Sequence, residues 1–185
     1  NFNERTELVQ VVSKAIARRM DQLCIDALDA AASPSTVATS VGGAATNMNI
    51  EKLRAAAKAL NQKNVPSEGR HLLMHSSQLD ALLGETSVTS SDFATVKALV
   101  RGEVSSFMGF NILTMGDRDE GGVPKPSTRT CFAWHQDSMG YAESMSQKSE
   151  VNYIPEKTSF LVSSMFSAGS VAIDDDGIVK ISCTE

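Results

Sequence analysis

Two pairs of residues have the types and the spacing of metal ligands. His71 and His75 lie four residues apart, and so do Cys131 and His135. On a helix this spacing would place both side chains of a pair on one face, as in many zinc sites. The apolar residues between His71 and His75 instead predict a strand, in which positions four apart are separated by about 13 Å. We therefore expect no metal ligand, no catalytic residue and no cofactor-binding residue.

An acidic run, Asp174-Asp175-Asp176-Gly177, resembles the start of a calcium-binding loop. The EF-hand loop requires oxygen ligands at alternate positions and a distant glutamate, whereas this glycine is followed by Ile-Val-Lys-Ile. A solvated turn ahead of a strand is the better interpretation. The sequence also lacks the glycine patterns of phosphate-binding loops and the Gly-x-Ser-x-Gly motif of hydrolases. No cofactor is therefore predicted.

Composition narrows the class of protein. The 185 residues carry a formal net charge of −5, and the scattered charges argue against a basic surface that binds nucleic acid specifically. Cys24, Cys131 and Cys183 have no C-x-x-C spacing, so we expect free or buried thiols in a reducing compartment. No apolar run approaches the roughly 20 residues that span a bilayer, and we expect no membrane contact.

A long amphipathic helix is predicted from residue 4 to about residue 31. Apolar residues recur along it at steps of three and four, namely Leu8, Val11, Val12, Ala15, Ile16, Met20, Leu23, Cys24, Ala27, Leu28 and Ala31. Asn3 is the predicted N-cap. At 1.5 Å per residue the helix would be roughly 40 Å long, and we expect it to bridge two domains rather than to lie on a bundle. The Ser-, Thr- and Gly-rich segment 32–48 is predicted to be a loop.

Residues 49–115 carry local signals for a compact unit. The predicted order is a helix capped by Asn49 at 50–62, a strand at 70–75, helices at 78–83 and 92–101, and a strand at 104–113. Ser77-x-x-Asp80 and Thr89-x-x-Asp92 fit the capping box. Gly84 and Gly102 follow the last apolar positions of their helices, where a left-handed residue is favoured.

The second half of the chain is predicted to be rich in strands. Turn formers fill residues 116–127, and we expect an exposed, mobile loop there. Strands are predicted at 130–134, 151–154, 159–166 and 178–183, and the segment 135–141 fits either a strand or a helix. The aromatic residues that we expect to anchor a core or an interface are Phe107, Phe110, Trp134, Phe160 and Phe166. The fold class is therefore α+β.

Three stretches resemble the major capsid (coat) proteins of tailed bacteriophages. Residues 64–83, which open with Asn-Val-Pro-Ser-Glu-Gly-Arg-His-Leu-Leu-Met, and residues 92–112 are similar to the core of that family's axial domain. The ending at 169–181, Gly-Ser-Val-Ala-Ile-Asp-Asp-Asp-Gly-Ile-Val-Lys-Ile, is similar to the family's C-terminal part. The opening helix is similar to the spine helix of its peripheral domain.

The resemblance implies a tailed-phage capsid fold and a structural, non-enzymatic subunit. Residues 1–48 would form the spine helix and connecting loop of the peripheral domain, 49–150 the axial core, and 151–185 strands that return to both domains. Identical subunits would assemble into pentamers and hexamers that enclose the DNA genome of a bacteriophage or prophage virion. Scaffolding and portal proteins would be further partners, and assembly would take place in the cytoplasm of the bacterial host.

The family also has an N-terminal arm and an extended loop ahead of the spine helix, and neither has a counterpart in this sequence. Since the first residue is Asn rather than Met and opens almost directly into a helix, we expect a processed or trimmed product. Because the arm and the loop interlock neighbouring subunits, we do not expect this product to build shells by itself. Some relatives join subunits through a Lys–Asn isopeptide bond, and no residue here is assigned that role. The mildly acidic chain would let packaged DNA lie against the wall without tight binding.

Two alternatives stay open at this point. An encapsulin-like compartment shell has the same fold class but holds an enzyme cargo. A small metal-binding enzyme domain would instead use the histidines and the cysteine of the two pairs, His71, His75, Cys131 and His135.

Overall fold

The computed structural model describes residues 4–84, 106–118 and 121–185. Within these ranges the helices are α1 (Glu4–Asp29), α2 (Ile50–Gln62) and α3 (Ser76–Gly84). The strands are β1 (Ser35–Val37), β2 (Arg70–His75), β3 (Ser106–Phe107), β4 (Phe110–Met115), β5 (Arg129–His135), β6 (Met139–Ile154), β7 (Ser159–Ala172) and β8 (Ile178–Cys183). A mixed sheet has the order β1-β8-β5-β2-β4-β3, and β6 and β7 form a separate hairpin. The predicted α+β class is confirmed.

The mixed sheet is covered on both sides, because successive residues of its central strands are apolar. On one side α2 packs against the sheet through a cluster that includes Leu53, Ala56, Leu60, Leu72, Met74, Ala133, Val179 and Ile181. On the other side the end of α1 packs through Ile25, Leu28 and Ala31 against Leu73, Phe132 and Ile178. Neighbouring residues of β2 therefore belong to different cores.

Helix α1 contacts both the mixed sheet and the hairpin, as expected for a bridging helix. Its 26 residues lie along the hairpin, where Gln147 Nε2 donates to Ser13 Oγ at 2.8 Å. In the predicted apolar stripe Leu8 and Val11 are exposed, and Met20, Leu23 and Cys24 are half-buried. The buried members are Ile16, Ala27, Leu28 and Ala31. The stripe was therefore predicted too long, because no described element covers the first turns on that side.

The C-terminal end of α1 is fixed by a lysine from a distant strand. Lys180 Nζ on β8 donates to the carbonyl oxygen of Asp29 at 2.6 Å and lies 3.5 Å from the Asp29 carboxylate. The last turn of α1 has no basic residue of its own. Lys180 thus satisfies a terminal carbonyl and places positive charge at the negative end of the helix dipole.

Most elements around the sheet follow the local sequence signals. The bounds of α2, β2 and β8 agree with their predictions, and Asn49 Oδ1 caps α2 by accepting the Lys52 N–H at 2.8 Å. The capping box predicted at Ser77 is wrong, since α3 already begins at Ser76. The Ser77 hydroxyl lies 2.7 Å from His75 Nδ1, which also accepts the Ser77 N–H. Gly84 is the last helical residue rather than the residue beyond.

Two predicted loops contain structure that the sequence signals did not indicate. The segment 32–48 includes β1, whose three residues pair in parallel with β8 and are too few to show alternation. The segment 116–127 is not wholly exposed, because Val123 is buried and the Gly122 N–H donates to Gln22 Oε1 at 2.7 Å. Within the strand predicted at 104–113, the described residues 106–113 belong to a short hairpin that turns at Met108 and Gly109, both with positive φ.

The hairpin of β6 and β7 is the largest departure from the predicted second half. The strands have 16 and 14 residues, whereas shorter strands were predicted at 151–154 and 159–166. Its polar Ser, Glu and Lys residues lower the apparent strand propensity of the sequence. Two 3-10 turns, Gln136–Ser138 and Asp175–Gly177, join the hairpin to the mixed sheet. The second of them contains the predicted acidic turn.

Some predictions fall outside the described residues. They are the helix at 92–101, the capping box that starts at Thr89, the cap at Gly102 and the N-cap at Asn3. Of the helices in the described part of the chain, none is long and apolar enough to cross a membrane.

Candidate subunit interface

The structure does not bring the four candidate metal ligands of the sequence together in one site. The His71 ring stacks on Trp134 with 5.5 Å between centroids, whereas His135 Nδ1 accepts the Asp137 N–H. His75 Nδ1 contacts the Ser77 hydroxyl. Across the described ranges, no group of three or more His, Cys, Asp or Glu side chains could hold a metal ion. The four candidate ligands are therefore not assembled into one site.

The cysteines are free thiols, as predicted from their spacing. Cys131 and Cys183 are buried, and Cys24 is half-buried on α1 beside Ser170.

A buried arginine organises a charged cluster in the sheet unit, by which we mean the mixed sheet together with α2 and α3. Arg129 is 3% exposed, and its guanidinium donates to Glu185 Oε1 at 2.5 Å and to Asp117 Oδ1 at 2.9 Å. Lys125 also pairs with Glu185. These hydrogen bonds, from Lys125 and then from Arg129, lower the pKa of Glu185 to about 2. Because the buried cation is paired with carboxylates, the cluster fastens the start of β5 to the end of the chain.

The hairpin presents large apolar side chains that stay exposed among the described residues. We use "hairpin surface" for the exposed residues Val151, Tyr153, Phe160, Leu161, Met165 and Val171. Along β7 the even-numbered residues from 162 to 172 are half-buried, whereas Leu161, Met165 and Val171 on the alternate positions are exposed. The odd-numbered face of β7 is therefore the more exposed one among the described residues. Val151 pairs with Val162 and Tyr153 pairs with Phe160, so these side chains lie on the other face, towards the tip.

The tip of the hairpin carries an aromatic pair. Tyr153 and Phe160 face each other across the two strands, with ring centroids 5.2 Å apart. They are 54% and 46% exposed, so each ring keeps about half of its surface in contact with water. The 3-10 turn Pro155–Lys157 and the left-handed Thr158 close the tip beside them.

The base of the hairpin adds two shallow grooves to this apolar area. One, of about 360 Å³, lies between the end of α1 and residues 170–175. The other, of about 350 Å³, is lined by residues 140–142 and 169–171. Val171 and Ile173 at their rims are more than half exposed. Exposed apolar side chains grouped on one element are characteristic of a protein–protein interface, so the hairpin and the adjoining end of α1 are the candidate site.

Sequence reasoning found only part of this site. Phe107 and Phe110 are buried core residues, as expected for anchors, whereas Phe160 lies on the hairpin surface. Tyr153, Met165 and Val171 were not singled out as interface residues. Phe160, Leu161 and Val162 are consecutive apolar residues in the sequence, so only the structure shows which face of β7 is the more exposed.

A match that extends over all 185 residues shows which family the chain belongs to. A family model described as phage capsid protein matches residues 1–185. The chain belongs to this phage capsid protein family. A phage capsid family member is a structural component of the virion, so the predicted structural role is confirmed. No curated protein sequence matches the chain.

Solved structures show that this capsid protein has the tailed-phage capsid fold. The capsid structure of cyanophage P-SCSP1u has a TM-score of 0.73 at 17% identity, over 100% of this chain and 67% of that chain. A structure from Mycobacterium phage Che8 has a TM-score of 0.72 at 18% identity, over 94% of this chain and 61% of that chain. This capsid protein therefore spans about 61% of the length of the Che8 chain.

An encapsulin has a related fold. The holo-SrpI encapsulin complex from Synechococcus elongatus PCC 7942 has a TM-score of 0.60 at 12% identity, over 97% of this chain and 65% of that chain. The likeness is one of fold, and the family match favours the phage capsid over the encapsulin-like alternative.

Proposed function

We propose that this capsid protein forms shell wall by assembling with identical copies into pentamers and hexamers around a DNA genome. The observation that carries the proposal is the exposed hairpin surface, because a chain that folds alone in water would bury more of those side chains. Symmetric assembly would cover the same patch in every copy. The family match supports the proposal, because a capsid is an assembly in which subunits would cover one another's exposed apolar side chains.

The division into domains is part of this proposal. The sequence placed a boundary at residue 150, which falls inside β6. Because β6 and β7 pair along their lengths, we assign both strands and α1 to the peripheral domain. The mixed sheet with α2 and α3 is assigned to the axial domain.

The wider biology is proposed on the same basis. The subunit has no catalytic residue and uses no cofactor, and its further partners are scaffolding and portal proteins in the cytoplasm of a bacterial host. The acidic chain, with its net charge of −5, lies near packaged DNA without recognising its sequence. A cargo-holding compartment shell is the second candidate function, supported by the encapsulin fold likeness.

Assembly of the full-length gene product tests the proposal. Expressed with the assembly factors of its phage, the wild-type protein should form shells, rings or capsomers in negative-stain electron micrographs. Leu161→Asp should abolish them while leaving the far-UV circular dichroism unchanged, because a charge on the hairpin surface cannot be desolvated cheaply.

A matched variant makes this experiment specific. Leu113 on β4 is also a leucine and is 46% exposed, against 48% for Leu161. Leu113→Asp should therefore assemble like the wild type. Absence of any assembly by the wild-type protein would reject the proposed function. Assembly by both variants would reject the hairpin surface as the contact.

A further inference from the structure

A lysine of α2 lies inside the protein rather than on its surface. Lys52 is 0% exposed, and Nζ donates to the carbonyl oxygens of Thr46 at 2.7 Å and Ser182 at 2.8 Å. The third direction is occupied by the sulfur of Cys183, 3.9 Å away. The ammonium therefore connects the loop before α2, the helix and the end of β8.

The sulfur atom is the acidic group that touches this buried cation. Among the ion pairs of the described residues, none includes Lys52. Burial lowers the pKa of Lys52, which favours the neutral amine. A hydrogen bond with Cys131 and the charge of Lys52 lower the pKa of the Cys183 thiol. Low thiol pKa values accompany reactive cysteines.

We propose that Lys52 and Cys183 are a redox-active pair, in which hydrogen peroxide joins Lys52 Nζ to Cys183 Sγ through one oxygen atom. A first peroxide molecule oxidises the thiol to a sulfenic acid, forming the S–O bond and releasing water. A second peroxide molecule oxidises the adjacent amine. The O–N bond forms, the peroxide O–O bond breaks, and the protons from nitrogen and from the sulfenic acid leave in two further water molecules.

The register of the sheet explains why lysine, rather than the neighbouring cysteine, receives the sulfur. Cys131 pairs with Ile181, and Arg129 pairs with Cys183. The two cysteines are thus diagonal neighbours, whose Cα atoms are separated by about 7–8 Å in an antiparallel sheet. Disulfides rarely form beyond about 6.8 Å without backbone movement. Lys52 Nζ lies at the end of a flexible stem, 3.9 Å from Cys183 Sγ, so it can approach the sulfur without moving a strand.

Lys52 and Cys183 are both 0% exposed, so peroxide would reach the pair when the loop that covers it opens. Strand β1 pairs only with residues 179–181 of β8, so Cys183 lies beyond the end of that strand. The loop holds this region through the Thr184 N–H, which donates to the Thr46 carbonyl at 3.1 Å. Local opening of such a segment is far less costly than global unfolding, and peroxide is close to water in size.

The bridge would fasten α2 covalently to β8 within each subunit. Because the pair lies in the sheet unit, this inference does not depend on the proposed assembly through the hairpin. A cross-link between segments distant in sequence should raise the melting temperature of the treated protein, since it restricts the unfolded chain.

Thiol counting and peptide mass spectrometry test the bridge. The folded protein is treated with hydrogen peroxide and then unfolded, and its thiols are titrated. The chain has three free cysteines before treatment, and the bridge should remove one thiol, which a reductant restores. Tandem mass spectrometry should find the peptides of Lys52 and Cys183 joined with the mass of one added oxygen and two lost hydrogens.

Two controls keep the result specific. Cys131→Ser should still form the bridge, whereas protein treated in denaturant should not, because the two atoms are then apart. A disulfide between Cys131 and Cys183, which removes two thiols, would overturn the proposal. So would thiol loss that no reductant reverses, or a folded protein whose thiol count stays unchanged.

Discussion

The mixed-sheet unit and the hairpin use apolar side chains in opposite ways. In the sheet unit both faces are covered by helices of the same chain, and residues such as Phe132, Leu53 and Ile181 are 0% exposed. In the hairpin, aromatic and aliphatic side chains stay about half exposed. The comparison indicates that the sheet unit is stabilised within one subunit, whereas the exposed apolar side chains of the hairpin are of the kind found at protein–protein interfaces.

The largest expected difference in the free energy of unfolding is between alanine variants of two phenylalanines. Phe132→Ala in the sheet core should lower the free energy of unfolding by about 3–5 kcal/mol, because it leaves a cavity. Phe160→Ala at the hairpin tip should cost about 1 kcal/mol or less, since the side chain is 46% exposed and its loss leaves no buried cavity. Urea unfolding of the chain measures both. Similar losses at the two positions would remove the distinction between the units.

Alanine substitutions at two glycines should change the free energy of unfolding by smaller amounts and in opposite directions. A Cβ atom at Gly177, in the turn that joins the hairpin to the sheet, would overlap the Ser138 hydroxyl and lie 2.8 Å from Ser138 Cβ. Gly177→Ala should therefore destabilise the chain by about 1–3 kcal/mol through overpacking.

Gly169 on the hairpin is the matched control. A Cβ atom there would meet nothing within 4 Å. Gly169→Ala should be neutral or stabilise the chain by up to about 1 kcal/mol, because alanine restricts the unfolded state. Thermal unfolding of the two variants gives the signs directly, and a destabilised Gly169→Ala variant would show that the hairpin face is packed after all.

The smallest expected effect is a change in how the free energy of unfolding depends on pH, and it compares two ion pairs. The pKa of Glu185 in the folded chain is about 2, below its ordinary value of 4.5. The carboxylate therefore contributes stability that is fully present above about pH 4.5 and is lost as the pH falls towards 2. Glu185→Gln should flatten the pH dependence of the unfolding free energy in this window, measured by urea titration.

Glu150 on the hairpin provides the comparison for that experiment. A hydrogen bond from Lys148 lowers its pKa as well, but this pair is exposed to solvent. Glu150→Gln should change the pH dependence less than Glu185→Gln, because exposed pairs are screened. An equal or larger change would show that the Arg129 cluster does not control acid stability.

Local chemistry explains which elements could be predicted. Helix α2 begins where Asn49 supplies a capping oxygen, and its apolar residues recur at helical spacing. Strands β2 and β8 are short apolar runs bounded by turn formers. Strand β1 was missed, since its three residues become a strand only by pairing with β8.

The functional site was less predictable than the fold. The resemblance in 64–112 and 169–181 indicated a capsid protein, and the match over residues 1–185 agrees with it. The contact surface lies mainly outside those stretches, on a hairpin whose polar residues hid the length of its strands.

The sequence by itself determined the cap of α2 at Asn49, the apolar periodicity of that helix and the resemblance to the family. These properties depend on neighbouring residues and on residue order, which a sequence states directly. Only the tertiary structure decided that Lys180 completes α1, that Lys52 meets Cys183, and that one face of β7 is the more exposed. Each of these facts depends on segments far apart in the chain, whose meeting is set by packing rather than by local preference.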